Sequence, residues 1–345
     1  MSLNTFIHHD GALGDFLLSL VAIKKIRDCS GALHLAGRSD AVNLLRMVGW
    51  VDNVSSVDNP VFLSLYTPEV DKKAINFISG FDKVVVFTVQ RDSWFVKNIR
   101  LIVPHAQVIQ TIPPERARES VAEFRLRQLT ERMELAVSGK GLKDGVDKSL
   151  PILEMPPVYK ERALDFLVRS GFDKKRPLIV LHPGSGGKRK CWPIEKYFSL
   201  MKRLRVDYDP FFVILSGPAE EGIALQIEEF AKNYMNLSIH VCNEDLIMVA
   251  SLLSLSDMYV GNDSGITHLA SAVNGNVIVI FGPTDPLRWK PLGNKVKVIN
   301  SDAVCAPCGD ERSRKCWEPM CLLNLPVERI YKEIKSMIDD SQRAN

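Results

Sequence analysis

The sequence predicts an α/β protein made of two Rossmann-like domains, each built on a mainly parallel, doubly wound sheet. Three observations carry that prediction. Short apolar runs alternate along the chain with longer stretches whose apolar residues recur every three or four positions, the signature of βα units. A strand, a glycine-containing turn and an amphipathic helix open the chain at Phe6-Ile7-His8-His9, and the same sequence of elements opens again at Pro177 to His182. A third turn of this kind, Val260-Gly261-Asn262-Asp263-Ser264-Gly265-Ile266-Thr267-His268-Leu269-Ala270, lies towards the C-terminal third.

Taken in order, Phe6 to His9 forms a first strand, and Asp10-Gly11-Ala12-Leu13-Gly14-Asp15 turns into a helix with Phe16, Leu17, Leu20, Ile23 and Ile26 on its apolar face. Strands follow at Ala32 to Ala36, Val51 to Val57 and Lys83 to Val89, with helices at about Asp40 to Val48, Glu69 to Ser79 and Asp92 to Ile99. From Pro113-Pro114 a long helix is expected to about Val137; Arg116, Arg118, Arg125, Arg127 and Arg132 alternate with glutamates along it, the pattern of a solvated face. The polar stretch Gly139 to Lys148 and the proline-rich Pro151 to Pro157 read as the connection, which puts the domains at 1–155 and 156–345. In the second domain strands are expected at Pro177 to His182, Phe211 to Ser216, Leu237 to Val241, Asp257 to Val260 and Asn276 to Phe281, with a helix from near Pro193. The last apolar helix, Val327 to Ile338, must cover a sheet in either domain, the first included.

Bulk properties exclude several classes. Hydrophobic content of 46% and charged content of 25% belong to a globular protein, and a net charge of +3 gives no reason to expect nucleic acid as a partner. No apolar run is long enough to span a bilayer, and Ser2 to Ile7 lacks the pattern of a signal peptide, so the expectation is a cytoplasmic protein with reduced thiols. Cys305, Cys308, Cys316 and Cys321 cluster as C-x2-C and C-x4-C, a spacing wider than the usual zinc knuckle; a loop of reduced thiols, with no metal, is the expectation.

The three turns carry the chemistry. Gly261 and Gly265 let backbone approach a ligand, Asp263 or Ser264 can cap the following helix, and a helix N-terminus suits the phosphates of a nucleotide. In Gly261-Asn262-Asp263-Ser264-Gly265 the serine stands fourth, so this is no nucleophile elbow, and His268 one helical turn on reads as a capping or ligand residue. His182-Pro183-Gly184-Ser185-Gly186-Gly187-Lys188-Arg189-Lys190-Cys191-Trp192-Pro193 matches neither the dinucleotide fingerprint nor a P-loop. It offers free backbone donors and three cations, suited to a diphosphate without a metal; an exposed basic turn would have the same composition. Asp15 reads as a helix cap or a weak general base, with His8 and His9 as rival bases.

Together, Gly11-Ala12-Leu13-Gly14-Asp15, His182-Pro183-Gly184-Ser185 leading to Lys190-Cys191-Trp192-Pro193, and Gly261 to Ala270 resemble the heptosyltransferases of glycosyltransferase family nine. Phe281-Gly282-Pro283-Thr284-Asp285-Pro286, Trp289-Lys290-Pro291-Leu292-Gly293 and the cysteine-rich loop match as well. The resemblance implies a GT-B fold, with an acceptor-binding first domain and a nucleotide-sugar-binding second domain facing a central cleft. It implies inverting transfer of a heptose from ADP-heptose to the lipopolysaccharide inner core without a cofactor or metal, at the cytoplasmic face of the inner membrane. By the same resemblance Asp15 falls at the catalytic base; Ser185, Gly186, Lys190, Asp263, Ser264, Gly265 and His268 fall at the donor; and Glu220 or Glu221 falls at the acid that holds its ribose. Gly14 and His9 fall on the acceptor side. Val21 stands where the family commonly has proline, and His8-His9 where a basic residue often ends the first strand, so the departures concern the acceptor. Another nucleotide-sugar with another glycan acceptor, or a nucleotide-sugar binder without turnover, are the competing expectations.

Overall fold

Two all-parallel sheets organise the chain, one in each of the units into which contacts divide it, residues 1–147 and 148–345. The computed structural model describes residues 3–115, 117–136, 153–233, 237–308 and 315–344. The predicted connection Gly139 to Lys148, with Arg116, Val137, Pro151 and Ile152, lies outside the described residues.

In the first unit β1 (Asn4–His9), β2 (Ala32–Gly37), β3 (Asn53–Ser56), β4 (Lys83–Thr88) and β5 (Gln107–Gln110) lie in the order β3-β2-β1-β4-β5. Helices α1 (Leu13–Leu17), α2 (Leu20–Asp28), α3 (Ser39–Met47), α4 (Lys72–Ser79), α5 (Trp94–Ile102) and α6 (Val121–Ala136) complete it. Central β1 is buried along its last five residues, as a parallel strand covered on both faces must be. Phe6, Phe62, Ile78, Val84, Phe95 and Ile99 form the core on one side. Strand β5 was not among the expected elements; with four residues and glutamine at both ends it gives almost no apolar signal.

Two helical expectations change. The single helix expected after Asp15 is broken into α1 and α2, because the Asp15 carbonyl accepts from the Arg125 guanidinium and, at 3.4 Å, from the Ser19 hydroxyl. The Ser19 N–H bonds instead to Phe16 O at 2.9 Å, a tighter turn that ends α1. Helix α6 starts at Val121 and not at Pro113, since Ser120 and Glu123 cap it reciprocally: each backbone N–H donates to the other's side chain at 3.2 Å.

In the second unit β6 (Leu178–His182), β7 (Phe211–Ser216), β8 (Ser238–Cys242), β9 (Met258–Asn262), β10 (Val277–Phe281) and β11 (Val296–Asn300) lie in the order β11-β10-β9-β6-β7-β8. Its long helices are α7 (Pro157–Arg169), α8 (Ile194–Tyr208), α9 (Ala224–Asn233), α10 (Leu246–Leu255), α11 (Gly265–Val273) and α12 (Val327–Ala344). Leu153 and Met155 are buried, and the Leu153 N–H donates to Ala272 O at 2.8 Å within the second unit. Helix α12 packs on this unit: Ile330, Tyr331 and Ile334 join Tyr197, Leu200 and Leu204 of α8 in one core, and the Tyr331 hydroxyl donates to Asp207 at 2.6 Å.

Strand order matters for function because each sheet has one point where the chain reverses direction, and ligands of such sheets bind outside the strand ends there. In the first unit that point lies between β1 and β4, where His8 pairs with Val86 and His9 with Phe87. In the second it lies between β6 and β9, where His182 pairs with Gly261. All three glycine turns follow strands at these two points.

His8 ends up almost wholly buried, and burial pulls its imidazole down to about 4. Its folded pKa lies below the unfolded value, so the unfolded chain takes up the proton first. Stability is then lost as pH falls from the unfolded value towards the folded one and levels off below it. Urea unfolding should show the wild type losing about 3 kcal/mol more than His8→Gln across that window; equal pH slopes for the two would contradict it.

Candidate functional site

Asn262 closes β9 with a fully buried amide that holds both ends of the 183–192 loop. Its Nδ2 donates to Pro183 O at 2.7 Å and Gly184 O at 3.3 Å, while its Oδ1 accepts from the Trp192 N–H at 3.0 Å. The Trp192 indole in turn donates to Leu325 O at 3.0 Å, which anchors the far end of the loop in the core. Asp263 comes next in the chain. Its Oδ2 accepts from Lys190 Nζ at 3.0 Å and from the Thr284 hydroxyl at 2.7 Å, and its carbonyl accepts from Ser185 at 2.7 Å. The structure therefore brings together Ser185, Lys190 and Asp263, which the sequence places in separate motifs. Lys190 keeps 35% of its side chain exposed against 9% for Asp263, so the cation of the pair is the part a ligand can reach.

Helix α11 begins at this point. Ser264 caps it, its hydroxyl accepting from the Thr267 N–H at 3.4 Å, and Gly265 is its first residue. Nine residues of aligned peptide dipoles direct partial positive charge at the turn. His268, in the first turn, is buried. Gly186 and Gly187 face open space, whereas a methyl group on Gly184 would fall 1.6 Å from Glu220 Oε1. Glu220 is itself buried: it accepts from the Gly217 N–H at 2.6 Å and lies 3.7 Å from His182 Nε2. Burial would push its pKa up, but His182 and the backbone N–H bonds outweigh that and hold it below the usual carboxylate range. Glu221 is exposed. Asn262 and Thr284 were not assigned roles from sequence, although both stand inside motifs that were singled out.

The first-unit turn is organised by a buried arginine. Arg125 has no exposed side-chain surface; its Nη2 donates to Asp15 Oδ1 at 3.2 Å, its Nη1 to Ser19 Oγ at 2.8 Å and its Nε to Thr111 O at 2.9 Å. Burial pulls its pKa down to about 10 against the pull of Asp15, and it stays cationic at neutral pH. The expectation of a wholly solvated α6 face is therefore corrected at this position. Arg127 does lie on the surface, paired with Glu119 at 2.6 Å and Glu131 at 2.9 Å. Arg125 instead shares a helical stripe with buried Val121, Ala122, Phe124, Gln128 and Leu129, a spacing readable in the sequence.

Asp15 sits in the first turn of α1 beside Gly14, with 36% of its side chain exposed. His9 is fully enclosed: its Nδ1 accepts from the Gly11 N–H at 3.2 Å, which leaves Nε2 to donate to Ser19 at 3.0 Å. Both nitrogens are engaged, and burial with Arg125 nearby holds the imidazole neutral. His9 shapes the turn and offers no exposed atom to an acceptor or to a proton.

Among the described residues no three His, Cys, Asp or Glu side chains are grouped to hold a metal ion, and no helix is long and apolar enough to cross a membrane. Cys321 is buried, Cys308 and Cys316 are half-buried and Cys305 is exposed, all as thiols.

Two parallel α/β units, each with a glycine turn at its reversal point, are the GT-B architecture, and a solved structure confirms the fold. The chain is 15% identical to the E. coli ADP-heptose lipopolysaccharide heptosyltransferase II, with a TM-score of 0.72 over 99% of this chain and 100% of that one. The family model for glycosyltransferase family 9 (heptosyltransferase) matches residues 144–318, just over half of the chain, and the chain belongs to that family. It is 24% identical over 170 residues to lipooligosaccharide heptosyltransferase 2 of Campylobacter jejuni, covering 48% of this chain and 52% of that one. It is 32% identical over 178 residues to lipopolysaccharide heptosyltransferase 2 of Salmonella typhimurium, covering 48% of each. The chain thus spans about half the length of the curated relatives it matches.

Replacing Arg125 leaves the Thr111 carbonyl, the Ser19 hydroxyl and the Asp15 turn without their donor. Arg125→Met should cost about 2 kcal/mol or more in chemical unfolding, and Arg125→Lys should restore only part of it, because an ammonium cannot reach three directions from a fixed plane. A variant as stable as wild type would show that the guanidinium is dispensable.

Proposed function

We propose that this chain is an inverting glycosyltransferase that moves a heptose from ADP-heptose to an acceptor sugar of the lipopolysaccharide inner core. The observation that carries the reading is the grouping of Lys190, Ser185 and Asp263 at the N-terminus of α11. Support for the donor and acceptor comes from family membership and from the relatives, which are named as lipopolysaccharide or lipooligosaccharide heptosyltransferases, one of them with ADP-heptose in its name. The phosphate-binding groups do not read the sugar, so another nucleotide-sugar and glycan would use the same cradle. We place the reaction in the cytoplasm, with the lipid-linked acceptor at the inner membrane face.

The chemistry follows from the groups present. Asp15 accepts the proton of the acceptor hydroxyl, the acceptor oxygen bonds to the anomeric carbon from the face opposite the nucleotide, and the bond from that carbon to the diphosphate oxygen breaks. ADP departs with both bonding electrons. Lys190 and the α11 N-terminus stabilise the charge that grows on the diphosphate, from positions fixed before the reaction begins. Lys190 leaves Asp263 for the diphosphate or is shared with it, while Thr284 continues to hold the carboxylate. Gly186 admits the phosphates closely, Gly265 opens the helix towards them and His268 meets the sugar end. Of the two ribose candidates, Glu221 is the exposed one; Glu220 is committed to Gly217 and His182. Arg125 keeps the Asp15 carboxylate oriented, with His9 and Gly14 shaping its turn.

Asp15→Asn preserves the Arg125 contact and removes the base. Transfer from ADP-heptose to a truncated lipopolysaccharide inner-core acceptor, followed by mass spectrometry, should fall about 10²–10⁴-fold in kcat. ADP affinity by calorimetry should stay unchanged, and the wild-type product should have inverted anomeric configuration by NMR. Wild-type turnover in Asp15→Asn would remove the assigned base.

A further inference from the structure

A cavity of about 320 Å³ opens at the carboxyl ends of β1 and β4, the reversal point of the first sheet, and of its lining only His8 has entered the argument so far. Small-molecule sites start at roughly 300 Å³, so it has room for one sugar ring. Its aromatic wall is Phe95, with Tyr66 4.8 Å and His8 4.2 Å from it between ring centres. Its polar groups are Asp10, Thr88, Gln90 and Ser93.

The charge of this lining is informative. None of the described residues around the cavity is Lys or Arg; of the cations nearby, two are engaged elsewhere and Arg38 is held on Asp10 itself. Arg91 donates to Gln128 at 2.6 Å, Lys97 lies 5.1 Å over the Trp94 ring, and Arg38 reaches the Asp10 carbonyl at 3.4 Å. The one ionised group of the lining is a carboxylate, Asp10. A phosphate or sugar acid here would face a like charge with no cation in the lining to pair with it, whereas hydroxyls would find a carboxylate, an amide and two hydroxyls.

His8 points the same way. It is 2% exposed, its Nε2 is 3.3 Å from the Tyr66 hydroxyl, and its Nδ1 has no hydrogen-bond partner. Burial keeps the ring neutral at physiological pH. A neutral imidazole with one nitrogen taken presents the other as donor or acceptor according to its tautomer. A sugar hydroxyl satisfies either; an anionic oxygen satisfies only the first.

We propose that this cavity binds one uncharged, hydroxylated sugar ring of the acceptor, held on Phe95 and Tyr66 by bonds to His8, Asp10 and Gln90, and that it rejects phosphorylated or carboxylated rings. The inference rests on the acceptor reading of the first unit and narrows it to a neutral ring next to the reacting hydroxyl. The site adjoins the turn that carries Asp15: partial desolvation raises the Asp10 carboxyl, a backbone N–H bond and Arg38 pull it back, and Asp15 pushes it up again.

The test uses the full chain with ¹⁵N-labelled histidine, the His8 ring signals being assigned by their loss in His8→Gln. Methyl α-glucoside is the neutral probe, with glucose 6-phosphate and glucuronate as its charged counterparts. The neutral glycoside should shift the His8 signals, and exposed Gln90→Leu should weaken it about tenfold. Neither charged sugar should shift them at the same concentration, and Gln90→Lys should gain glucose 6-phosphate binding. Charged sugars shifting His8 at equal or lower concentration, or a glycoside that leaves His8 unmoved, would overturn the proposal. ADP binding to the same sample reads the second unit separately, so ADP affinity retained while the glycoside fails sinks this inference and leaves the donor assignment standing.

Discussion

Two adjacent side chains at the end of β9 set the geometry on which the rest of the second-unit site depends. Asn262 fixes the start and the end of the 183–192 loop, and Asp263 fixes Ser185 and Lys190 within it. Without those ties a loop with four glycines or prolines and three consecutive cations would sample many conformations and repel itself. With them, Lys190 stands at the N-terminus of α11, and the side-chain charge and the helix dipole act at one place. Arg189 is also tied, its Nε donating to Cys316 O at 2.7 Å, so the segment containing Cys316 helps to hold the cationic loop. This gives the cysteine-rich loop a structural contribution that needs no metal.

The first-unit site follows a different logic. A buried arginine is costly to desolvate, and it is tolerated because its donors meet a carboxylate, a hydroxyl and two carbonyls. One consequence is the break between α1 and α2. The Asp15 carbonyl is diverted from the helix ladder to Arg125, which fixes the turn that presents the Asp15 carboxylate. The same group therefore shapes the backbone and orients the side chain. His9, enclosed between Gly11 and Ser19, supports that turn from the other side.

Much of the fold was legible because parallel strands buried on both faces are continuous apolar runs. β6, β7, β9 and β10 are mainly of this kind, and β6 and β9 also carry two of the three glycine turns. Short edge strands such as β5 and β11 were missed because polar residues interrupt them. Ser185, Lys190 and Asp263 were visible as parts of motifs, but the bonds that unite them cross 73 to 78 positions and have no local signal. Arg125 shows the opposite case. Its position in the buried stripe of α6 was available from helical spacing, and the abundance of charge around it concealed the exception. His8 was legible as a rival base and as a departure from a basic residue, whereas the cavity that it lines has no signal in the sequence.

The proposed function turns on Lys190 and a helix N-terminus holding the donor diphosphate without a divalent cation. Calorimetric titration of ADP into the wild type and Lys190→Ala in the presence of EDTA tests this most directly. The account predicts binding to the wild type that survives chelation and falls about tenfold or more in the variant. Binding that requires added magnesium, or that is equally strong in Lys190→Ala, would contradict it.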